Sequence, residues 1–272
     1  RFYGWEPPAL SLGCFQDAAA EVDFDACRAL GVDVVRRPTG GRAVLHDVEV
    51  TYSLILPEAN EIVPQGITES YRVISEGMVR GLASLGLDVR MVSLRRKSQG
   101  VGDEAHDASV EREAAPPRSR RYTITVDTPD KKSLSAACFD APSWYEVVVG
   151  GKKIVGSAQM RRLGVLLQHG SIPLALDAGK LFACLKFPGE SARQRAKAAF
   201  LAKATSVEDA LGRRLSFDTV RAAVARGLAE ELGVTLVEGE LSPEEEATAQ
   251  ELARSKYARI DWHKDKSQGK VE

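Results

Sequence analysis

Apolar side chains alternate with polar ones through much of the first two thirds of the chain. This period of two predicts a half-buried strand in DVEVTYSLIL, residues 47 to 56, and another in RYTITVD, residues 121 to 127. The residues that share the apolar face of the first strand are Val48, Val50, Tyr52, Leu54 and Leu56. Shorter extended pieces, broken by prolines and a glycine, are expected in residues 1 to 13, and a further strand near residues 163 to 168.

Helical spacing replaces this alternation further along the chain. Thr68 is a candidate N-cap for a first helix, and Gly86 is expected to end it. A second helix is expected to end at Gly233. The apolar positions of the first are Tyr71, Ile74, Met78, Leu82 and Leu85; those of the second are Phe217, Val220, Val224, Leu228 and Leu232. Ser242-Pro243-Glu244-Glu245 is a capping box with proline at the first helical position, which predicts a helix to about residue 256.

Strands therefore predominate before Gly189 and helices after it, without a regular alternation of strand and helix. This order favours an α+β fold with a mainly antiparallel central sheet flanked by helices. Residues 97 to 121 have few apolar side chains and two prolines, so we expect a mobile insertion there. We expect one domain over residues 1 to 203, with a helical C-terminal extension over residues 204 to 272 packed on it.

Composition and charge narrow the class of protein. The 37 basic and 38 acidic residues leave a net charge of -1, which gives no sign of a general nucleic-acid binder. The four cysteines, Cys14, Cys27, Cys138 and Cys184, lie too far apart for a dense disulfide framework or a zinc site. No apolar run approaches the ~18 residues that span a bilayer and no signal peptide opens the chain, so we expect reduced thiols in the cytoplasm. Because the chain starts at Arg1 in a strand-like segment, we expect that an N-terminal piece is missing.

Reactive groups concentrate in AACFDAPSWYEVVVGGKKIVGSAQ, residues 136 to 159. A two-residue Gly150-Gly151 turn would form a hairpin in which Val148 lies opposite Lys153. Strand alternation would place five residues on one largely apolar face, namely Tyr145, Val147, Val149, Ile154 and Ala158. The other face would hold Trp144, Glu146, Lys153, Val155 and Ser157. Lys153 is thus the lysine expected to face a site, while Lys152 turns outward.

Cys138 lies shortly before this hairpin. If the chain reverses at Asp140-Ala141-Pro142, the thiol and the amine of Lys153 can meet. A neighbouring ammonium favours the thiolate, and a thiolate exchanges with a thioester to give an acyl-enzyme. The spacing alone leaves open that Cys138 is a small core residue, as most unpaired cysteines are.

RRPTGGRAVLHD, residues 36 to 47, is a second candidate for a site. Gly40 and Gly41 permit positive φ angles and expose backbone N–H groups, which suit a phosphate or a carbonyl oxygen. The residues that would add charge for a phosphate or phosphopantetheine are Arg36, Arg37 and Arg42. The segment matches neither a P-loop nor a dinucleotide fingerprint, and the pattern alone leaves open an ordinary glycine turn and a structural role for His46.

Taken together, RRPTGGRAVLHD, CFDAPSWYEVVVGGKKIVGSAQ and LQHGSI, residues 167 to 172, resemble the lipoate-protein ligase and octanoyltransferase family. That family shares its class II synthetase-like catalytic fold with biotin protein ligase. The resemblance runs from RFYGWEPPALSLG to KYARIDWHKDK, apart from the insertion at 97 to 121 and a missing initial strand and helix. It is greatest to the cysteine-dependent octanoyltransferases, because the ATP-using ligases typically carry a third glycine where Arg42 stands and lack a cysteine at the position of Cys138.

The resemblance also assigns roles to residues. It implies a catalytic cysteine at Cys138 and an active-site lysine at Lys153. The residues that it places around the substrate are Arg36, Arg37, Thr39, Gly40, Gly41, Arg42, His46, Gly156, Ser157, Ala158 and His169.

The implied reaction moves an octanoyl group from octanoyl-acyl carrier protein, through a Cys138 thioester, to a lysine of a lipoyl domain such as glycine-cleavage H protein, in lipoate biosynthesis. It requires no metal, ATP or other cofactor, and the resemblance implies a cytoplasmic monomer that binds neither nucleic acid nor membrane. Both protein partners are usually acidic. The basic clusters that would attract them, or that form solvated surface instead, are Arg95-Arg96-Lys97, Arg118-Ser119-Arg120-Arg121 and Arg161-Arg162.

Three alternatives stay open from sequence. An ATP-dependent lipoate-protein ligase would adenylate free lipoate without a covalent enzyme intermediate. An amidotransferase would move lipoyl or octanoyl groups between lipoyl domains, also through a cysteine. A non-catalytic module that binds carrier proteins belongs to a different class of protein.

Overall fold

Two β-sheets organise the computed structural model, which describes residues 1–93 and 145–262 of the 272-residue chain. The strands of the larger sheet are β1 (Phe2–Tyr3), β5 (Glu49–Pro57), β6 (Val89–Ser93), β7 (Tyr145–Val149), β8 (Lys152–Arg162) and β9 (Val165–Pro173). They lie in the order β1-β5-β9-β8-β7-β6, and each neighbouring pair is antiparallel. The smaller sheet contains β2 (Ala9–Leu12), β3 (Asp33–Arg36) and β4 (Val44–His46), with β2 in the centre, parallel to β3 and antiparallel to β4.

Helices cover both sheets. The helices that precede β6 are α1 (Ala18–Glu21), α2 (Phe24–Ala29) and α3 (Ile67–Ala83). Those that follow β9 are α4 (Ala178–Ala183), α5 (Glu190–Lys203), α6 (Val207–Leu211), α7 (Phe217–Leu232) and α8 (Pro243–Leu252), which continues into a π-helical turn (Ala253–Tyr257). No helix in these described ranges is both long and apolar enough to cross a membrane.

The molecule has two hydrophobic cores. In the first, α3 and α7 pack together on the larger sheet, and their backbones touch because glycines line the contact. A Cβ atom on Gly227 would lie 2.3 Å from the backbone nitrogen of Gly81, so no side chain fits there. The second core joins the smaller sheet to α4 and α5 around Leu10, Phe182 and Phe200. The two cores hold the two sheets on either side of the site described below.

Most of the predicted elements are present. The α+β class, the antiparallel sheet, the stripe of α7 with its left-handed Gly233 cap and the capping box at Ser242 are confirmed. The strand predicted over residues 47 to 56 begins at Glu49, and Val48 is 54% exposed. The expectation that Thr68 caps α3 is wrong, because Gly66 is the N-cap residue and no side chain bonds to the open N–H groups.

Several predictions lie outside the described residues. They concern the strand at 121 to 127, the insertion at 97 to 121, Cys138 and the basic clusters at 95 to 97 and 118 to 121. The division of the chain at residue 203 stays a prediction. The contact of α7 with α3 shows that the region after residue 203 contributes side chains to the first core.

Candidate active site

A cavity of about 840 Å³ is lined by residues of both sheets and by α3. Its volume falls within the roughly 300–1,000 Å³ that is typical of small-molecule sites. The apolar part of its lining is formed by Tyr3, Trp5, Val35, Val44, Ile67 and Tyr71, and Tyr257 reaches it from the π-helical turn. Two segments with polar groups line it as well. We call them the loop wall, residues 36 to 47, and the hairpin wall, residues 145 to 159.

The hairpin wall turns at Gly150-Gly151, where both glycines have positive φ angles of 56° and 77°. The predicted register is confirmed, with Val148 opposite Lys153. Beyond this pair a β-bulge shifts the register, so Val147 lies opposite Val155.

The bulge makes the predicted alternation of faces wrong beyond Lys153. Ile154 and Val155 are both buried in the first core, although alternation placed them on opposite faces. Ala158 was likewise expected on the face opposite Ser157, yet both residues line the cavity.

Lys153 is the lysine that faces inward, as predicted. It is 5% exposed, it lines the cavity, and its Nζ lies 3.2 Å from Oε1 of Glu146. Its carbonyl accepts a 3.0 Å hydrogen bond from the Thr205 N–H, which ties the strand to the start of α6. Lys152 is exposed and donates from Nζ to the carbonyl of Leu201 instead. A buried lysine that is ion-paired with Glu146 is therefore built into the hairpin wall.

Two arginines hold the loop wall in place. The Nη1 of Arg36 donates to the carbonyls of Gly13 and Gln16 at 2.8 and 2.9 Å, and its Nε donates to the carbonyl of Ile260. Arg37 donates to the carbonyls of Ser11, Gly40 and Arg42. Both were predicted to bind a phosphate, and both line the cavity. In the structure their guanidinium groups fix the backbone.

The glycines of the loop wall differ from each other. Gly41 adopts a φ of 94°, which favours glycine, whereas Gly40 lies outside the left-handed region. Gly13 packs directly against this turn, since a Cβ atom there would lie 2.1 Å from the carbonyl oxygen of Gly41. Arg42 points to Glu21, with 3.5 Å between Nη2 and Oε2.

His46 is the centre of a buried polar network. Its Nδ1 lies 2.8 Å from Oε1 of Glu49 and its Nε2 lies 2.7 Å from the Ser11 Oγ. The ring of Trp5 stacks on the imidazole at 4.4 Å. The sequence left a structural role for His46 open, and these contacts occupy both ring nitrogens.

His169 joins the two sheets. Its Nε2 lies 2.6 Å from the Thr39 Oγ1, so it links β9 to the loop wall. Burial, together with the nearby positive charge of Arg37, lowers the pKa of His169 to about 4. The imidazole is therefore neutral at physiological pH.

The predicted residues on β8 lie at a close contact with β9. Ser157 accepts a 2.7 Å hydrogen bond from the hydroxyl of Tyr52, and burial raises the pKa of that hydroxyl above its ordinary value. A Cβ atom on Gly170 would lie 2.4 Å from the Gly156 carbonyl oxygen, so glycine is required opposite this strand. The described members of the predicted set line one cavity, apart from Thr39 and Arg42. Thr39 contacts the cavity residue His169, and Arg42 pairs with Glu21. The roles of the predicted set in binding stay predictions.

Sequence reasoning missed several residues that line this cavity. Trp5, Ser11 and Tyr71 belong to segments read only as strand or helix, and Tyr257 lies in a segment read as the end of a helix. Glu49 gave one usable signal, which is a carboxylate inside a strand whose neighbours are apolar. Such a residue is costly to bury unless it is hydrogen-bonded, and Glu49 is.

The described cysteines are Cys14, Cys27 and Cys184. Cys27 and Cys184 are buried in the second core, and burial raises the pKa of Cys184 to about 12. Cys14 is half-buried beside the loop wall, and its N–H donates to the carbonyl of Thr39. The two buried thiols are thus kept neutral, as expected for packing residues.

Fold and site together define a class of protein, an α+β domain in which a glycine turn and a hairpin with a buried lysine enclose a largely apolar cavity. The family model for the lipoyl protein ligase A/B catalytic domain matches residues 1–229, and the chain belongs to that family.

Relatives and solved structures agree with this. The chain is 49% identical to octanoyltransferase LipM of Kyrpidia tusciae and 41% identical to that of Bacillus subtilis; both comparisons cover 97% of this chain and 85% of the relative. It is similar in structure to the bi-partite lipoate protein ligase of Thermoplasma acidophilum, with a TM-score of 0.69, 27% identity and coverage of 97% of this chain and 82% of that one. Lipoate-protein ligase A bound with ATP gives a TM-score of 0.66 and 28% identity over 97% of this chain and 84% of that one.

Proposed function

We propose that this protein is an octanoyltransferase of lipoate biosynthesis. It takes the octanoyl group of octanoyl-acyl carrier protein onto Cys138 as a thioester and passes it to a lysine amine of a lipoyl domain, with glycine-cleavage H protein as the expected acceptor. The reaction belongs in the cytoplasm, where acyl carrier proteins are found. It needs no ATP, because the thioester is already activated.

One observation carries this proposal. Relatives named octanoyltransferase LipM are 41–49% identical to this chain over 97% of its length, whereas the solved ligases are 27–28% identical. The greater likeness is to proteins whose name describes acyl transfer.

The geometry of the cavity supports the same reaction. Its apolar side chains suit a medium-length acyl chain, and the buried ammonium of Lys153 supplies a proton carrier on the hairpin wall. In the proposed mechanism this ammonium favours the thiolate of Cys138, and Lys153 then relays the proton that the attacking amine loses. Glu146, 3.2 Å from Nζ, holds the ammonium in position.

An ATP-dependent ligase is the second candidate function, and the TM-scores of 0.66 and 0.69 to solved ligases favour testing it. The ATP-using ligases typically carry a third glycine at the position of Arg42. In this chain a charged side chain stands beside the glycine turn and pairs with Glu21, which favours the transferase. The two functions differ in one measurable property, which is whether a covalent acyl-enzyme forms.

Intact-mass spectrometry after mixing with octanoyl-acyl carrier protein tests the proposal. We expect an octanoyl adduct at position 138 of the wild type, no adduct at that position in Cys138→Ala, and an unchanged adduct on Cys14→Ala, which removes the half-buried thiol beside the loop wall. Transfer to a lipoyl domain that requires ATP and survives Cys138→Ala would establish the ligase. A wild-type adduct that passes only from one lipoyl domain to another would establish the amidotransferase, and neither adduct nor transfer would leave a carrier-binding module.

A further inference from the structure

A serine, a histidine and a glutamate form a hydrogen-bonded chain on the cavity that the proposed transfer mechanism does not use. The Ser11 Oγ lies 2.7 Å from Nε2 of His46, and Nδ1 of the same ring lies 2.8 Å from Oε1 of Glu49. All three side chains come from different strands or strand ends, with Ser11 on β2, His46 on β4 and Glu49 on β5. Ser11 and His46 line the cavity.

Arg37 makes the Ser11 oxygen an acceptor. Its Nη1 lies 3.0 Å from the Ser11 Oγ, and a guanidinium can only donate, which leaves the hydroxyl its own proton and a second lone pair. The direction at His46 follows from the tautomer of the ring. A neutral His46 with its proton on Nδ1 has a lone pair on Nε2, which accepts the Ser11 proton, and the contacts of Glu49 select that tautomer.

The direction of the hydrogen bond between His46 and Glu49 follows from the other contacts of Glu49. Trp5 donates from Nε1 to the Thr51 Oγ1, so the hydroxyl proton of Thr51 is directed to Oε1 of Glu49. Ser171 donates to Oε2 at 2.5 Å. Glu49 thus serves as an acceptor on both oxygens, and it holds the Nδ1–H of His46 in the same way.

Nucleophilic catalysis by a hydroxyl requires this order of groups, in which a base accepts the hydroxyl proton and a carboxylate orients the base. The positive charge of Arg37 beside the serine oxygen adds electrostatic stabilisation of an alkoxide. From this we propose that Ser11, His46 and Glu49 form a second nucleophilic centre, which hydrolyses medium-chain acyl esters and thioesters.

The reaction balances without a further reagent. The Ser11 Oγ attacks the acyl carbonyl carbon while its proton moves to Nε2 of His46, and the leaving thiol or alcohol takes that proton as its bond to carbon breaks. Water, with His46 again accepting a proton, then attacks the Ser11 ester, and the carboxylic acid and free Ser11 hydroxyl are released. The centre needs neither Cys138 nor an acceptor amine.

The cavity defines the class of substrate. Trp5 stacks on His46 and Tyr3 packs against Trp5, while Val35 and Val44 lie on β3 and β4, the strands that flank the Ser11 strand β2, so an apolar acyl tail has a place beside the nucleophile. Ser11 itself is only 2% exposed, which restricts the centre to acyl groups that enter the cavity. This activity is distinct from the proposed transfer to a lysine.

Hydrolysis of p-nitrophenyl octanoate by full-length Cys138→Ala protein tests the inference, because that background removes the thiol proposed for the transfer. We expect turnover that falls at least about 100-fold in Cys138→Ala/Ser11→Ala and in Cys138→Ala/His46→Gln. Adding Ser84→Ala, which removes a hydroxyl at the end of α3 instead, should leave the rate unchanged.

A second measurement needs no substitution at Ser11. The Cys138→Ala protein is treated with octyl fluorophosphonate and the labelled peptide is identified by mass spectrometry, with Ser11 as the expected site. Equal hydrolysis with and without Ser11, or a protein that takes up no label at Ser11, would overturn the inference and assign the network a purely structural role. Failure here leaves the octanoyl adduct on wild-type protein unaffected, so the two proposals fail separately.

Discussion

The two walls of the cavity are built in different ways. The hairpin wall is regular from its turn as far as Lys153, because sheet hydrogen bonds set the position of Lys153 from its partner Val148 and a two-residue turn sets the register. The loop wall has little regular structure of its own, and side chains hold it from outside. The side chain of Arg36, for example, bonds to the carbonyls of Gly13, Gln16 and Ile260, which lie 23, 20 and 224 positions away along the chain.

This difference predicts how each wall responds to substitution. In the hairpin wall the backbone does not depend on the lysine side chain, so removing that side chain should change chemistry more than structure. In the loop wall the charged side chains are the scaffold, so removing one should change structure first and activity as a consequence.

The largest effect is expected for Lys153→Ala. Octanoyl transfer to a lipoyl domain should fall at least about 100-fold, because the proposed proton carrier is lost and the Glu146 carboxylate is left without its ammonium. The measurement is the single-turnover transfer rate, with far-ultraviolet circular dichroism as the check on the fold.

Lys152→Ala is the matched control, since it removes the neighbouring amine, which reaches the Leu201 carbonyl at the surface. Its transfer rate should stay within about twofold of the wild type. Unchanged transfer in Lys153→Ala would remove the lysine from the mechanism and make its burial a structural feature alone.

A smaller effect on rate and a larger one on stability are expected for Arg36→Ala. The carbonyls of Gly13 and Gln16 lose a buried charged donor, so the free energy of unfolding should fall by about 3 kcal/mol, or roughly 10 °C in Tm. Urea unfolding measures this. Arg42→Ala, which breaks a partly exposed ion pair with Glu21, should cost under about 1 kcal/mol. Equal costs would show that Arg36 is not the scaffold of the loop wall.

The same contrast explains how much of the molecule could be predicted. A period of two, a Gly-Gly turn and a period near 3.6 are local properties, so they predicted β5, the hairpin and α7 with little error. The bulge at Val147 was not predicted, because strand alternation assumes one opposing residue for each position, whereas Ile154 is skipped between the pairs Val148–Lys153 and Val147–Val155. The prediction of the α3 N-cap was wrong because it looked for a side chain that could cap the helix. Gly66 occupies that position and makes no side-chain hydrogen bond.

The site divides in the same way. Alternation identified Lys153 as the inward lysine, since one strand pairing was enough. For Arg36 the charge suggested a phosphate ligand, and for His46 the family resemblance implied a place at the substrate while the pattern left a structural role open. Their contacts with Ile260, Ser11 and Glu49 depend on the folded chain and leave no local pattern to read.

A smaller effect than that of Arg36→Ala is expected at His169, which pairs with Ala158 of the hairpin wall and bonds to Thr39 of the loop wall. Its folded pKa of about 4 lies below the ordinary value of 6.5, so below pH 6.5 the unfolded chain binds a proton that the folded chain does not. Stability is full above pH 6.5 and is lost as pH falls toward 4, which predicts a free energy of unfolding about 2 kcal/mol lower at pH 5 than at pH 7 from this group. Urea unfolding of wild type and His169→Asn at both pH values isolates it, because asparagine does not titrate. A pH dependence that is the same in both proteins would show that Thr39 and β9 are joined without a neutral imidazole between them.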